Sequence, residues 1–311
     1  MKTVFITRRL PSIAEELLSK HFKVTTNKKN KPISIRQLLD AVSKYDAILS
    51  TVSDKFTAEV IAKKKKLQVI SNYAVGLNNI DVLFARKNSI AVFNTQDVVT
   101  ESTADMTFAL LLSLIRKIDE AKSFVKKSKW SGWDPEIFLG EELFGKTFGI
   151  IGFGRIGQAV ATRAVGFGLR VIYCNRSKKI TENSDLTGKV RQVDLKTLLE
   201  NSDYISLHVP LEKDTYHIIN KKSISVMKKK PVIINMARGG IIESKSLLGA
   251  LRSGRIRGAC LDVTEQEPLS GKDPLVNMKN CLVVPHIGTA TVECRRAMAK
   301  LAAENIINYF V

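Results

Sequence analysis

Three short apolar segments in the last third of the chain lead into residues that can bind an anion or move a proton. The first is followed by Asn235-Met236-Ala237-Arg238-Gly239-Gly240 and the second by Asp262-Val263-Thr264-Glu265-Gln266-Glu267-Pro268. The third runs through Val283-Val284-Pro285-His286-Ile287-Gly288-Thr289-Ala290. A guanidinium is a rigid fork of donors that grips a carboxylate and polarises a carbonyl. An imidazole titrates near neutrality and can deliver a proton. A carboxylate beside it orients the ring and favours its charged form. Together these groups suit reduction of a 2-oxo acid, which needs its carboxylate fixed, its carbonyl polarised and its oxygen protonated as hydride arrives. Of the four histidines, His21 and His217 fit exposed loops or helix edges, and His208 ends a strand. Only His286 has arginine and glutamate motifs upstream at strand ends. Glu265 and Glu267 compete to be its partner, and Arg238 could instead cap a helix or pair with Glu265.

A source of hydride is signalled upstream. Gly152-Phe153-Gly154-Arg155-Ile156-Gly157 is a GxGxxG that directly follows an apolar strand, Thr147 to Ile151, and opens a helical run, Ile156 to Ala164. In that context Gly152 makes a tight turn, Gly154 lets the backbone approach a pyrophosphate, and Gly157 lets the helix pack close to the sheet. The N–H groups of the helix N-terminus, Arg155 and Ile156 among them, then receive the diphosphate. NAD enzymes place Asp or Glu about 20 residues further on, against the ribose hydroxyls. Here the stretch reads Tyr173-Cys174-Asn175-Arg176-Ser177-Lys178-Lys179. It offers neutral donors and a guanidinium suited to phosphate. NADP(H) is therefore expected as the preferred cofactor, with Arg176 as main phosphate ligand beside Asn175 and Ser177. Stacking of Arg176 on adenine, with NAD(H) also used, is the alternative.

The elements that must position these groups alternate throughout. Strands are expected at Val4 to Thr7, Lys23 to Thr25, Ala47 to Ser50, Gln68 to Ser71 and Ala91 to Asn94, separated by helical stretches. A second series comprises Thr147 to Ile151, Arg170 to Cys174, Val190 to Gln192, Tyr204 to His208, Val232 to Asn235, Ala259 to Asp262 and Leu282 to Val284. Such alternation is the pattern of βαβ units and parallel sheets. The expected fold is α/β: two doubly wound parallel-sheet domains, a Rossmann cofactor domain and a flavodoxin-like substrate domain, with the active site between them. The substrate domain would comprise residues 1–99 and 287–311 and the cofactor domain residues 100–286. A long helix should begin after Thr100, and its stretch Ala104 to Ile118, apolar on nearly every side, should be buried between domains or subunits.

At 311 residues, 44% hydrophobic and 25% charged, the chain has the size and balance of two ordinary globular domains. Its apolar runs fall short of the roughly 18 to 20 residues a membrane span needs, and its N-terminal one is too short for a signal peptide. The cysteines, Cys174, Cys260, Cys281 and Cys294, form no CxxC or Cys/His cluster. That argues against a disulfide framework or a metal site and for a reducing cytoplasm. The formal charge of +19 lies largely in lysine runs such as Lys63 to Lys66 and Lys228 to Lys230. Without aromatic interleaving these read as solvated helix ends rather than a nucleic-acid surface.

With these motifs in order, the whole chain resembles the D-isomer-specific 2-hydroxyacid dehydrogenase family, and within it glyoxylate/hydroxypyruvate reductases. The resemblance implies that Arg238 binds substrate, that His286 is the general acid/base and that Glu267, directly before Pro268, is its partner. It implies that Asp262 faces the nicotinamide carboxamide and that Ala237 and Gly288 border the cofactor. Asn72-Tyr73-Ala74-Val75-Gly76-Leu77-Asn78-Asn79-Ile80-Asp81 resembles the substrate loop, whose N–H groups at Val75 and Gly76 would hold the carboxylate; Leu77-Asn78 departs from the usual pattern. Glu101-Ser102-Thr103-Ala104-Asp105 resembles the start of the family's long interdomain and dimer helix, with Thr103 near the cofactor. Val209, Pro210 and Thr215 resemble the adenosine-side loop. A homodimer is implied, and Trp130 and Trp133 either pack or lie exposed in an arm, or belong to an arm that wraps a partner subunit, with Trp133 lining the substrate pocket across the interface. The expectation is a chain that ends soon after its last helix, without a longer tail that could stabilise a dimer, and without the extra regulatory domain of large phosphoglycerate dehydrogenases. D-lactate-type and phosphoglycerate-type enzymes, and a corepressor-like dinucleotide sensor that performs no catalysis, remain as alternatives.

Overall fold

The computed structural model describes residues 1–177 and 186–311 and divides into two compact units, residues 1–99 with 289–311 and residues 100–288. The first unit is built on β1 (Thr3–Ile6), β2 (Lys23–Thr26), β3 (Ala47–Thr51), β4 (Val69–Tyr73) and β5 (Ala91–Phe93). These strands are all parallel, in the order β2-β1-β3-β4-β5. That is the flavodoxin-like arrangement. Helices α1 (Ile13–Ser19), α2 (Ile35–Lys44), α3 (Ala58–Ile61) and α4 (Val82–Lys87) connect them. The sheet's central strands β3 and β4 are buried at every position, as strands covered on both faces must be. The last helix of the chain, Val292–Phe310, returns to this unit and buries Cys294, Met298, Ala299, Ala302, Ala303 and Ile306. Ser71 Oγ donates to the Ala302 carbonyl at 2.8 Å and Tyr73 Oη to that of Arg295 at 2.8 Å.

The second unit opens with α5 (Thr100–Ile115) and α6 (Ile118–Lys126). Its sheet comprises β6 (Thr147–Ile151), β7 (Arg170–Cys174), β8 (Val190–Gln192), β9 (Tyr204–Leu207), β10 (Val232–Asn235), β11 (Gly258–Leu261) and β12 (Cys281–Val283). Between them run α7 (Arg155–Gly166), α8 (Leu195–Asn201), α9 (Lys221–Ser225) and α10 (Ser244–Arg252). The order β12-β11-β10-β9-β6-β7-β8, all parallel, is that of a doubly wound Rossmann sheet. Its direction of winding reverses between β6 and β9.

Alternation along these strands divides the interior into two cores. Phe148, Ile150, Tyr204, Val232, Ile234 and Cys260 face one, with Phe108 and Leu111 of α5 and Val160 and Ala164 of α7. Ile151, Ile205, Leu207, Ile233, Ala259 and Leu261 face the other, with Leu198 and Leu247. Each fully buried large side chain contributes about 1.5–3 kcal/mol.

The long helix differs from expectation. It stops at Ile115, and Lys117, in the left-handed region with φ +53°, separates it from α6. Its first turns are not apolar all round, because Glu101 and Asp105 pair with Arg163 of α7 at 2.8 and 2.6 Å. Ala109 is exposed, while Phe108 and Leu111 on the opposite side are buried.

Candidate active site

β6 leads into Gly152, at φ +96°, where a side chain would press on the backbone of His208. A Cβ on Gly157 would overlap the Gly152 carbonyl, so the first turn of α7 lies directly against the glycine turn. At Gly154, by contrast, a Cβ would meet nothing, and no side chain caps α7 there. An open approach to uncapped N–H groups, with no acid in the first turn, is the cradle a diphosphate needs. Phe153, fully buried, stacks on Tyr173 of β7 at 3.8 Å between ring centroids and anchors the turn. The backbone N–H of Phe153 donates to Asn175 Oδ1 at 3.2 Å, and Asn175 Nδ2 donates to the Ser177 carbonyl at 3.1 Å. Asn175 thus ties the glycine turn to the end of β7. These residues fit a dinucleotide.

Arg176 is exposed and forms an ion pair, 2.9 Å, with Glu212. Nothing in local spacing signals this carboxylate, which comes from the loop after β9. Lys178 and Lys179 lie outside the described residues. In the Glu212 loop, Thr215 is buried and its hydroxyl is committed internally: it donates to the Pro210 carbonyl at 2.6 Å and accepts from the Glu212 N–H at 2.8 Å. Thr215 shapes this loop. Val209 lies against Gly152. His208 shares a hydrogen bond of 2.7 Å between Nε2 and Ser206 Oγ, while its Nδ1 is buried without a partner. Burial pushes the His208 imidazole down to about 3, so it is neutral.

The acid–base groups gather after β10, β11 and β12. His286 Nδ1 lies 3.1 Å from Glu267 Oε2, leaving Nε2 for proton transfer. His286 adopts φ +55°, and its N–H is shared by the Asp262 and Val284 carbonyls, both at 3.0 Å. Asp262, buried, accepts from the N–H groups of Ile287 at 2.6 Å and Gly288 at 2.9 Å. Both its oxygens therefore hold the turn that carries the histidine. Burial raises the Asp262 carboxyl above its usual range, against the pull of these N–H groups and of His286. Ser102 Oγ of α5 donates to the Gly288 carbonyl at 2.9 Å. Thr103 and Ala237 are both buried, on the first turn of α5 and just after β10.

Burial alone would raise the Glu267 carboxyl. The hydrogen bond and charge of His286, the Thr264 N–H and the charge of Arg238 outweigh it and hold Glu267 below the usual carboxylate range. Arg238 is half-buried; desolvation lowers its guanidinium from the usual range, opposed by Glu267. It remains a cation, as arginine does in proteins. Asn235, fully buried, was not singled out in the sequence yet sets this turn. Its Oδ1 accepts from the Ala237 N–H at 3.0 Å and its Nδ2 donates to the Arg238 carbonyl at 3.0 Å.

Glu265 is not part of this cluster. It pairs with His217, Oε1 to Nε2 at 2.6 Å, and accepts from the Ser244 N–H at 3.2 Å. His217 is therefore no free surface histidine, and Arg238 does not pair with Glu265.

In the other unit, the loop after β4 is braced by amides. Asn94 Nδ2 donates to the Val75 carbonyl at 2.8 Å and Asn72 Nδ2 to that of Gly76 at 3.0 Å. The N–H groups of Val75 and Gly76 take no part in hydrogen bonds among the described residues. Trp130 and Trp133 are 64% and 87% exposed, so neither packs within the chain. Among the described residues no cluster of ligands could hold a metal ion, and no helix is long and apolar enough to cross a membrane.

The pattern of the D-isomer specific 2-hydroxyacid dehydrogenase NAD binding domain matches residues 108–288. The chain is 44% identical to a glyoxylate reductase of Thermococcus litoralis over 310 residues, covering 98% of this chain and 93% of the relative. A crystal structure of a protein from Thermus thermophilus superposes with a TM-score of 0.91 at 38% identity, covering 98% of this chain and 96% of that one. An NADPH-dependent glyoxylate/hydroxypyruvate reductase of Sinorhizobium meliloti, solved with NADP and malonate, gives 0.87 at 28% identity over 99% of this chain and 93% of its own.

Proposed function

The chain belongs to the D-isomer specific 2-hydroxyacid dehydrogenase family of NAD(P)-dependent oxidoreductases, and we propose that it reduces glyoxylate or hydroxypyruvate with a preference for NADP(H). The observation that carries the chemistry is the Glu267–His286 pair at 3.1 Å with the Arg238 cation acting on the same carboxylate. The names of the relatives, glyoxylate reductase in Thermococcus litoralis and glyoxylate/hydroxypyruvate reductase in Sinorhizobium meliloti, favour a short 2-oxo acid.

In this reading the N–H groups at Gly154, Arg155, Ile156 and Gly157 hold the diphosphate, with Asn175, Arg176 and Ser177 at the adenosine ribose. Val209, Pro210 and Thr215 shape the adenine side; Thr103, Ala237, Asp262 and Gly288 frame the nicotinamide side. Reduced nicotinamide, when bound, supplies the hydride for C2. Arg238 grips the substrate carboxylate and polarises the carbonyl. His286 protonates the carbonyl oxygen from Nε2, while Glu267 on Nδ1 fixes the ring and supports its positive form. Ile118, Trp133, Leu139 and Phe144 are exposed apolar side chains, and a homodimer in this reading would bury such residues. The four free cysteines are consistent with a cytoplasmic enzyme.

The NADP(H) preference rests on Arg176 and on the lack of an acid between Cys174 and Ser177. Steady-state kinetics with glyoxylate, hydroxypyruvate, pyruvate and 3-phosphohydroxypyruvate, each with both reduced nicotinamides, test the reading. Highest kcat/KM for glyoxylate or hydroxypyruvate with NADPH is expected. Arg176→Ala should raise KM for NADPH much more than for NADH. Equal shifts for both would remove Arg176 from the phosphate site, and higher kcat/KM with pyruvate would move the enzyme to the lactate class.

A further inference from the structure

We propose that Glu212 sets how strongly this protein discriminates between dinucleotides with and without a 2′-phosphate, by competing for Arg176. The inference rests on the reading of Arg176 as phosphate ligand. Enzymes that select the unphosphorylated cofactor carry an acid at the end of the strand after the glycine turn. This chain has none there, but the fold supplies one from the other side. β7 and β9 flank β6, the strand that carries the glycine turn. Arg176 follows β7 and Glu212 follows β9, and their 2.9 Å ion pair joins the loops on either side of β6 at its carboxyl end.

The backbone of Glu212 is held firmly. Its N–H donates to Thr215 Oγ1 at 2.8 Å, and its carbonyl accepts from the N–H groups of Thr215 at 3.1 Å and Tyr216 at 2.8 Å. Its side chain is 46% exposed and that of Arg176 69% exposed, so the pair is wet, weak and able to open. A 2′-phosphate must take the guanidinium fork from a carboxylate already on it, and then sits near that carboxylate's negative charge. A ribose that bears free hydroxyls meets no such opposition and gains an acceptor. Glu212 therefore narrows the preference that Arg176 confers and keeps both cofactors usable.

The test needs no turnover. Adenosine 2′,5′-bisphosphate and adenosine 5′-monophosphate, which differ only in the 2′-phosphate, are titrated calorimetrically into the full-length protein and into Glu212→Gln and Arg176→Ala variants. Glu212→Gln should bind the bisphosphate about three- to tenfold more tightly and the monophosphate equally or more weakly. Arg176→Ala should weaken the bisphosphate alone. An unchanged or weaker bisphosphate affinity in Glu212→Gln, with Arg176→Ala weakened as expected, overturns the role of Glu212 and leaves the phosphate reading intact. An unchanged bisphosphate affinity in Arg176→Ala overturns the phosphate reading, and the competition with it.

Discussion

The Glu267–His286 pair divides its labour between two nitrogens. With Nδ1 on the carboxylate, the ring leaves Nε2 for proton transfer in the proposed reaction, and its left-handed backbone is held by two carbonyls and the braced turn at Ile287 and Gly288. Strain of this kind persists where surrounding bonds over-determine it. His286→Ala should therefore lower kcat by about two to four orders of magnitude, the usual reach of a general acid, while the thermal midpoint stays close to that of the parent. Glu267→Gln should cost about ten- to a hundredfold, because the imidazolium loses a charged partner but keeps a hydrogen-bond acceptor. Steady-state kinetics of the parent and Glu267→Gln check this, and an unchanged kcat would show that the pair does not govern the proton.

At the level of elements, the strands were the most legible part of the sequence. β6, β7 and β10 occupy the spans their apolar runs mark, because strands covered on both faces read as continuous apolar segments. The edge strand β8 also lies where expected, although only Val190 in it is apolar. The break at Lys117 was not legible: helix-forming residues continue through it, and a single left-handed residue leaves no periodic trace. Pairings across long separations were equally hidden. Spacing alone left Glu265 and Glu267 as rivals, and only packing gives Glu265 to His217 and Ser244. That tether has a purpose in the fold. The backbone at Thr264 and Glu265 lies so close to Gly239 that no side chain would fit there, yet behind the loop opens a cavity of about 260 Å³ lined by Asn235, Ser244, Thr264 and Glu265 among others. A loop unsupported by packing on one side depends on its polar ties to hold Glu267 in place. Glu265→Ala should lower kcat by about three- to tenfold, with KM for the nucleotide unchanged, and lower the thermal midpoint by roughly 2–4 °C for about 1 kcal/mol lost. Glu265→Gln, whose amide oxygen can still accept from the Ser244 N–H while its NH2 faces the neutral His217 ring, should recover most of both. A lowered midpoint with full kcat would confine the tether to stability.

For the molecule as a whole, the dominant quantity is the charge of +19. Self-repulsion of that size opposes compaction and is relieved by salt. The fold offsets it by holding particular carboxylates ionised. Burial would raise Asp46, but hydrogen bonds from Thr3 and the Lys66 ammonium bring it below its usual range. Burial would raise Glu141, but Lys146, Arg257 and Tyr204 bring it down. Glu267 behaves alike. Carboxyls lowered in the folded state stabilise it fully above their unfolded values, near about 4, and that contribution vanishes as pH falls through the lowered ones. His208 acts earlier. Its folded value is about 3, whereas an unfolded histidine titrates near about 6.5. Between these limits the unfolded chain binds the extra proton, so stability drops as pH falls, by up to about 1.4 kcal/mol per pH unit. Asp262, raised by burial, works weakly in the opposite sense. Urea unfolding from pH 7.5 to 4 should thus show stability declining from about pH 6.5 rather than from the carboxylate range. His208→Asn should flatten the slope above about pH 5, whatever it does to the absolute midpoint. Sodium chloride at about 0.5 M should restore more stability at pH 4.5 than at pH 7.5, because each proton gained by a carboxylate adds to an existing excess of cations. A slope unchanged in His208→Asn would mean that this imidazole is hydrated in the folded state, and equal salt effects at both pH values would mean that the charge excess is already neutralised by bound anions.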